Sequence, residues 1–152
     1  MKPFDQQLYD RDDPAKHLVL AWCQAKMPEC WINPDEYGID IITTRGNIEV
    51  GVKHSWKGAR FPFPTVQIPI RKRHLCKPGE QMWFAIVNHD LTHHMFISGT
   101  TAWESPVIEH THNGVTELFM DIRKHSRIYK LTDLGDTVQD TLGKARALRK
   151  GP

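Results

Sequence analysis

A chain of 152 residues, 39% hydrophobic and 25% charged, carries enough apolar side chain for one core and too much for a disordered or fibrous chain. A formal net charge of +2 excludes a protein that is polycationic or polyanionic throughout. The three cysteines, Cys23, Cys30 and Cys76, are odd in number and contain no C-x-x-C pair, which argues against a disulfide framework or a zinc knuckle and for buried thiols.

The first residues, "MKPFDQQLYDRDD", are polar and offer neither a signal-peptide core nor a membrane span, so a cytoplasmic protein is expected, in host cytoplasm if the gene is a phage's. Asp13 followed by Pro14 reads as an N-cap with proline at the first helical position. Leu18, Trp22 and Ala25 then recur at helical spacing, predicting an amphipathic helix over 14–27 that Pro28 ends. After the loop "ECWINPDE", the β-branched stretch Tyr37–Thr44, the turn signal "TRGN" and the alternating run Ile48–Lys53 predict a hairpin. Prolines 62, 64 and 69 hold "FPFPTVQIPIRKRHL" extended as far as a short helix starting near Ile70. Four strand-like runs, "QMWFAIVN", "THHMFISG", "SPVIEHTH" and "TELFMDIR", are separated by "HDL", "TTAWE" and "NG" and should complete one sheet. Residues 1–135 are expected to form a single domain, with 136–152 a basic C-terminal helix and tail.

Between Lys53 and Lys77 stand Lys53, Lys57, Arg60, Arg71, Lys72, Arg73 and Lys77 without one Asp or Glu. Such a stripe attracts a phosphate backbone, because each phosphate it neutralises releases counterions. Lys57, Arg60, Gln67, Arg71, Lys72 and Arg73 are the expected nucleic-acid contacts, and Trp56, Phe61 and Phe63 interleave with them as stacking candidates.

Alternation along Ile48–Lys53 sends Ile48, Val50 and Val52 to the core and Glu49, Gly51 and Lys53 to the other face. The tight Gly46-Asn47 turn brings Asp40, expected on the neighbouring strand, towards that polar face. "GID", ten residues, then G-V-K resembles the PD-(D/E)XK nuclease superfamily, whose pattern is an Asp on one strand and Glu-x-Lys on the next. The flanks "KHSWKG" and "VQIPIRK" are similar to those of small phage-type members. The resemblance implies a restriction-endonuclease-like α/β sandwich, a mixed central sheet with flanking helices, and Mg²⁺- or Mn²⁺-dependent hydrolysis of DNA. It also implies roles: Asp40 and the Val52 main-chain carbonyl as metal ligands, and Lys53 as the residue that orients the attacking water. A homodimer is compatible with it.

Gly51 stands where that pattern has its second acid. Three accounts remain open. Glu49, on the correct face but about 6.6 Å up the strand, substitutes as ligand; or Gly replaces a parental Glu and silences the enzyme; or the fold only binds DNA. A rival reading rests on "EHTHNGVTE": His110 and His112, H-x-H with Glu117 beyond, resemble the first metal motif of the cupin fold, which would favour a late transition metal. No second motif follows Glu117. His89, His93 and His94 in "NHDLTHH" are expected at a solvent-exposed hairpin end.

Overall fold

Proline does not start the first helix. In the computed structural model, which describes residues 6–131 apart from 28, 36, 80 and 124–127, α1 spans Gln6–Lys26 and runs through Pro14. Asp13 therefore lies within the helix and is not its N-cap. Pro14 has no N–H to give, so the ladder loses one bond there while the turns on either side continue. Ala15, Leu18, Val19, Trp22 and Cys23 form the buried stripe of α1, packed against Ile41, Ile48, Ala85 and Val87. Full burial of a side chain such as Leu18 contributes about 2 kcal/mol. The helix expected over 136–150 lies outside the described residues.

Nine strands follow among the described residues: β1 (Cys30–Ile32), β2 (Ile41–Thr43), β3 (Gly46–Lys53), β4 (Val66–Pro69), β5 (Met82–Asn88), β6 (His93–Ser98), β7 (Val107–His112), β8 (Val115–Ile122) and β9 (Ile128–Lys130). Six of them make a mixed sheet in the order β1-β2-β3-β5-β6-β9, in which only the β3–β5 pair is parallel. Parallel pairing requires a long crossover. Here it carries a 3₁₀ helix (Ile70–Cys76), as the Ile70 helix signal predicted, and β4, where the prolines predicted only an extended loop.

The β2–β3 hairpin closes at the Thr43–Gly46 pair, where the Thr43 hydroxyl accepts the N–H groups of Arg45 and Gly46 at 3.1 and 3.0 Å. Gly46 has φ +152°, and a Cβ there would sit 2.6 Å from the Gln81 carbonyl oxygen, so only glycine fits. β2 is shorter than its β-branched sequence suggests. Tyr37 and Gly38 are drawn into a turn in which Asp35 Oδ1 accepts the Tyr37 N–H at 3.0 Å and the Asp35 carbonyl accepts that of Gly38 at 3.2 Å. Asp40 consequently precedes the strand instead of lying on it.

The second half of the chain does not complete one sheet. β5 and β6 join the first, whereas β4, β8 and β7 form a separate antiparallel sheet in that order. Val66, Ile68, Met120 and Ile122 alternate onto one face of the smaller sheet and pack with Met82, Phe84, Met95 and Ile97 on the large one. "TTAWE", expected as a turn, belongs to α2 (Gly99–Glu104), capped by Ser98, whose hydroxyl accepts the Thr101 N–H at 3.2 Å. The chain is thus α/β with a mixed central sheet. α1 covers one face, and the small sheet, the 3₁₀ helix and α2 cover the other. All three cysteines are free and buried, and no helix among the described residues is long and apolar enough to cross a membrane.

Candidate functional site

Strand β3 divides its side chains as its sequence predicts. Ile48, Val50 and Val52 pack towards α1, while Glu49, Gly51 and Lys53 line a cleft beside Phe84 and Ile86. The opposite wall comes from the small sheet: the face that carries Gln67, His110, His112, Glu117 and Phe119 is the one turned away from its packed core side. Three adjoining cavities of about 350, 500 and 600 Å³ all have Lys53 and Gln67 in their lining.

At one end of the cleft the two acids meet. The Val50 N–H donates to Asp40 Oδ2 at 2.8 Å, and Asp40 Oδ1 lies 3.2 Å from the Lys16 ammonium. Because β2 stops at Ile41, the edge of β3 beyond Ile48 is bare, and the Asp40 carboxylate occupies it in place of a strand. Glu49 reaches the same spot from the cleft face. Burial first, then a hydrogen bond and charge from Asp40, raise its carboxyl to about 8, with Lys72, whose ammonium is 3.4 Å away, pulling the other way. Lys16 is a member of this cluster that its position in the sequence did not reveal.

A hard divalent cation asks for one or two carboxylates and otherwise keeps water and substrate oxygens. Asp40 and Glu49 meet that requirement. Alternation also directs the Val52 carbonyl to the edge on which Asp40 receives the Val50 N–H. A third acid is missing, and among the described residues no group of three His, Cys, Asp or Glu side chains is placed to hold a metal. The statement covers His110, His112 and Glu117 too. They share one face, with His110 directly opposite Glu117, but Glu117 points towards Arg71, 3.8 Å away.

Lys53 stands apart from the acids, two residues beyond Gly51. Its ammonium lies 5.1 Å from the centroid of the Phe63 ring, no carboxylate among the described residues is within 4.0 Å, and burial lowers its pKa. Gly51, between Glu49 and Lys53, is open to the cleft. A Cβ there would meet only Ile86 Cδ1, at 3.8 Å.

The basic segment divides. Lys57 and Arg60 are exposed on the loop after β3, Gln67 lines the cleft, Arg71 is exposed at its rim and Lys72 pairs with Glu49. Arg73 faces elsewhere, donating to the Trp103 carbonyl at 3.1 Å with its guanidinium 4.4 Å from the Trp103 ring centroid. Trp56 and Phe61 are buried in the core, which removes them as stacking platforms, and only Phe63 stays accessible. Nor are the histidines of "NHDLTHH" all at a solvent-exposed end: His94 is fully buried against Trp22, Phe96 and Tyr129, and burial lowers it to about 3. No family model, curated protein or solved structure matches this chain.

Proposed function

We propose that the chain is a nuclease-type protein of the PD-(D/E)XK kind that takes a DNA phosphodiester against Lys53, with Mg²⁺-dependent hydrolysis weakened at Gly51. The observation that carries this reading is the Lys53 ammonium: half-buried, without a carboxylate partner among the described residues, and in the lining of all three cavities of the cleft. A desolvated cation without a counter-charge gains most from an incoming anion. The acid-free run from Lys53 to Lys77 gives the cleft a basic flank on which the rest of a backbone can lie.

Each group has a part. Lys53 holds a non-bridging phosphate oxygen or the water beside it, Gln67 supplies an amide donor from the opposite wall, and Asp40 and Glu49 would hold the cation. Bound there, Mg²⁺ would neutralise charge on the phosphate and lower the pKa of its water. Glu49 must first give up its proton, which at neutral pH its burial and then its neighbour Asp40 resist. With glycine at 51 no acid stands between the carboxylate pair and the lysine, so binding outlasts catalysis. The restriction-endonuclease-like arrangement is part of the same proposal, supported by the helix, the central hairpin and the parallel β3–β5 pair.

The test is fluorescence anisotropy with a labelled DNA duplex at 50 and 200 mM salt. Binding should fall steeply with salt, with a log–log slope of about 0.9 per phosphate contacted. Lys53→Met should weaken it about tenfold. Absence of binding at low salt, or full affinity in Lys53→Met, would overturn the reading.

A further inference from the structure

His110 and His112 come from the other end of the sequence, yet they line two of the cavities that Lys53 lines. They sit two residues apart on β7, so both rings project from one face, about 7 Å apart. The hairpin that presents them is short and well defined: His112 pairs with Val115 across the two-residue loop Asn113-Gly114, both of whose φ values are positive, 51° and 76°. Both histidines are exposed, and they face a lysine that has no carboxylate partner among the described residues. The charged groups around them are few. Lys53 faces them from β3 with His54 next to it, Arg71 from the 3₁₀ helix and Glu117 from β8, while β4 contributes the neutral Gln67; Glu49 and Lys72 lie at the far end.

We propose that His110 and His112 form the second half of a phosphate grip with Lys53, so that the cleft binds the DNA backbone more tightly when both imidazoles are protonated. An anion between the walls then meets an ammonium on one side and two imidazoliums on the other. Of the acids on that face of β8, Glu117 is 3.8 Å from Arg71 and Asp121, opposite Gln67, is buried and 3.8 Å from Arg123. An imidazolium donates a charge-assisted hydrogen bond to a phosphate oxygen that a neutral imidazole does not match, so acid favours the grip. The inference rests on the DNA-binding reading and adds to it the residues of the opposite wall and the dependence on pH.

Salt dependence counts the phosphates neutralised, so it reads the two histidines directly. With the same DNA duplex, the log–log slope should steepen between pH 8 and pH 5.5, by about 0.9 for each imidazolium formed in the cleft. His110→Ala/His112→Ala should abolish most of that steepening; subtracting this variant removes the contribution of Glu49, whose raised carboxyl loses its proton at the upper end of the range. His110→Lys/His112→Lys should show the steep slope already at pH 8, because its charges do not titrate there. Equal slopes at both pH values, or steepening that survives in the double alanine variant, would overturn the grip while leaving DNA binding intact. No binding at either pH would overturn the DNA reading and the grip together.

Discussion

The carboxyl groups of Asp40 and Glu49 share a hydrogen bond although one precedes its strand and the other lies midway along the next. Burial makes an ionised Glu49 costly, the adjoining Asp40 adds to that cost, and Glu49 keeps the proton. Since its folded pKa, about 8, is above the unfolded value, the native state holds a proton that the unfolded chain releases from about pH 4.5 upward. The associated stability is fully present below 4.5 and lost as pH rises through 8. Glu49→Gln should therefore flatten the fall in melting temperature between pH 5 and 9, which thermal scans across that range will measure.

Gly51→Glu should create the missing ligand. The Cβ has room, and the backbone there is ordinary extended strand, so the substitution should cost little beyond repulsion from Glu49 and Asp40. Mg²⁺ should relieve that repulsion and raise the melting temperature more in the variant than in the parent, by mass action on the folded state. Plasmid nicking should appear or increase strongly with Mg²⁺. Adding Lys53→Ala should keep the thermal shift and remove the nicking; a variant with neither gain would mean that this face of β3 does not serve a metal.

Arg71 and Arg73 are two residues apart and should behave differently. Arg71 is exposed at the cleft rim, so Arg71→Ala should lower the salt slope of DNA binding by about 0.9 with little change in stability. Arg73 is held by the Trp103 carbonyl and ring, so Arg73→Ala should cost about 1–2 kcal/mol in chemical denaturation and leave the slope alone.

His94 makes the protein sensitive to acid. Neither ring nitrogen has a hydrogen-bond partner, and burial holds its pKa near 3, below the unfolded value of about 6.5. The stability is present above 6.5 and lost as pH falls towards 3, at about 1.4 kcal/mol per pH unit between the two values. Replacement by an apolar residue removes that dependence. His94→Leu should be at least as stable as the parent at pH 5 and show a flatter acid limb in denaturation titrations.

Where the sequence held a long regular signal, the structure follows it. The alternation of Ile48–Lys53, the tight turns at Gly46 and Asn113-Gly114 and the apolar run at 82–87 each determine a strand or its end locally. β1 and β9, of three residues each, are too short to display a period, and they exist because a neighbour offers them a free edge. Asp40 was misplaced because the side-chain turn at Asp35 competes with strand propensity. Trp56 and His94 look like surface residues beside their polar neighbours, and only long-range packing buries them. The meeting of Lys53 with His110 and His112 depends on which sheet β7 joins. No local pattern encodes that choice.

The smaller sheet has a consequence for the order in which the chain becomes a protein. β4 pairs with β8 across roughly fifty residues, Val66 with Ile122 and Pro69 with Phe119, so its partner leaves the ribosome long after β4 does. During that interval Val66 and Ile68 lie open beside an unshielded row of lysines and arginines, offering both a bare strand edge and a cationic surface. Chains released before residue 115 should accordingly aggregate or cling to nucleic acid without selectivity, and the arrival of the last hairpin both finishes the groove and withdraws that adhesive surface.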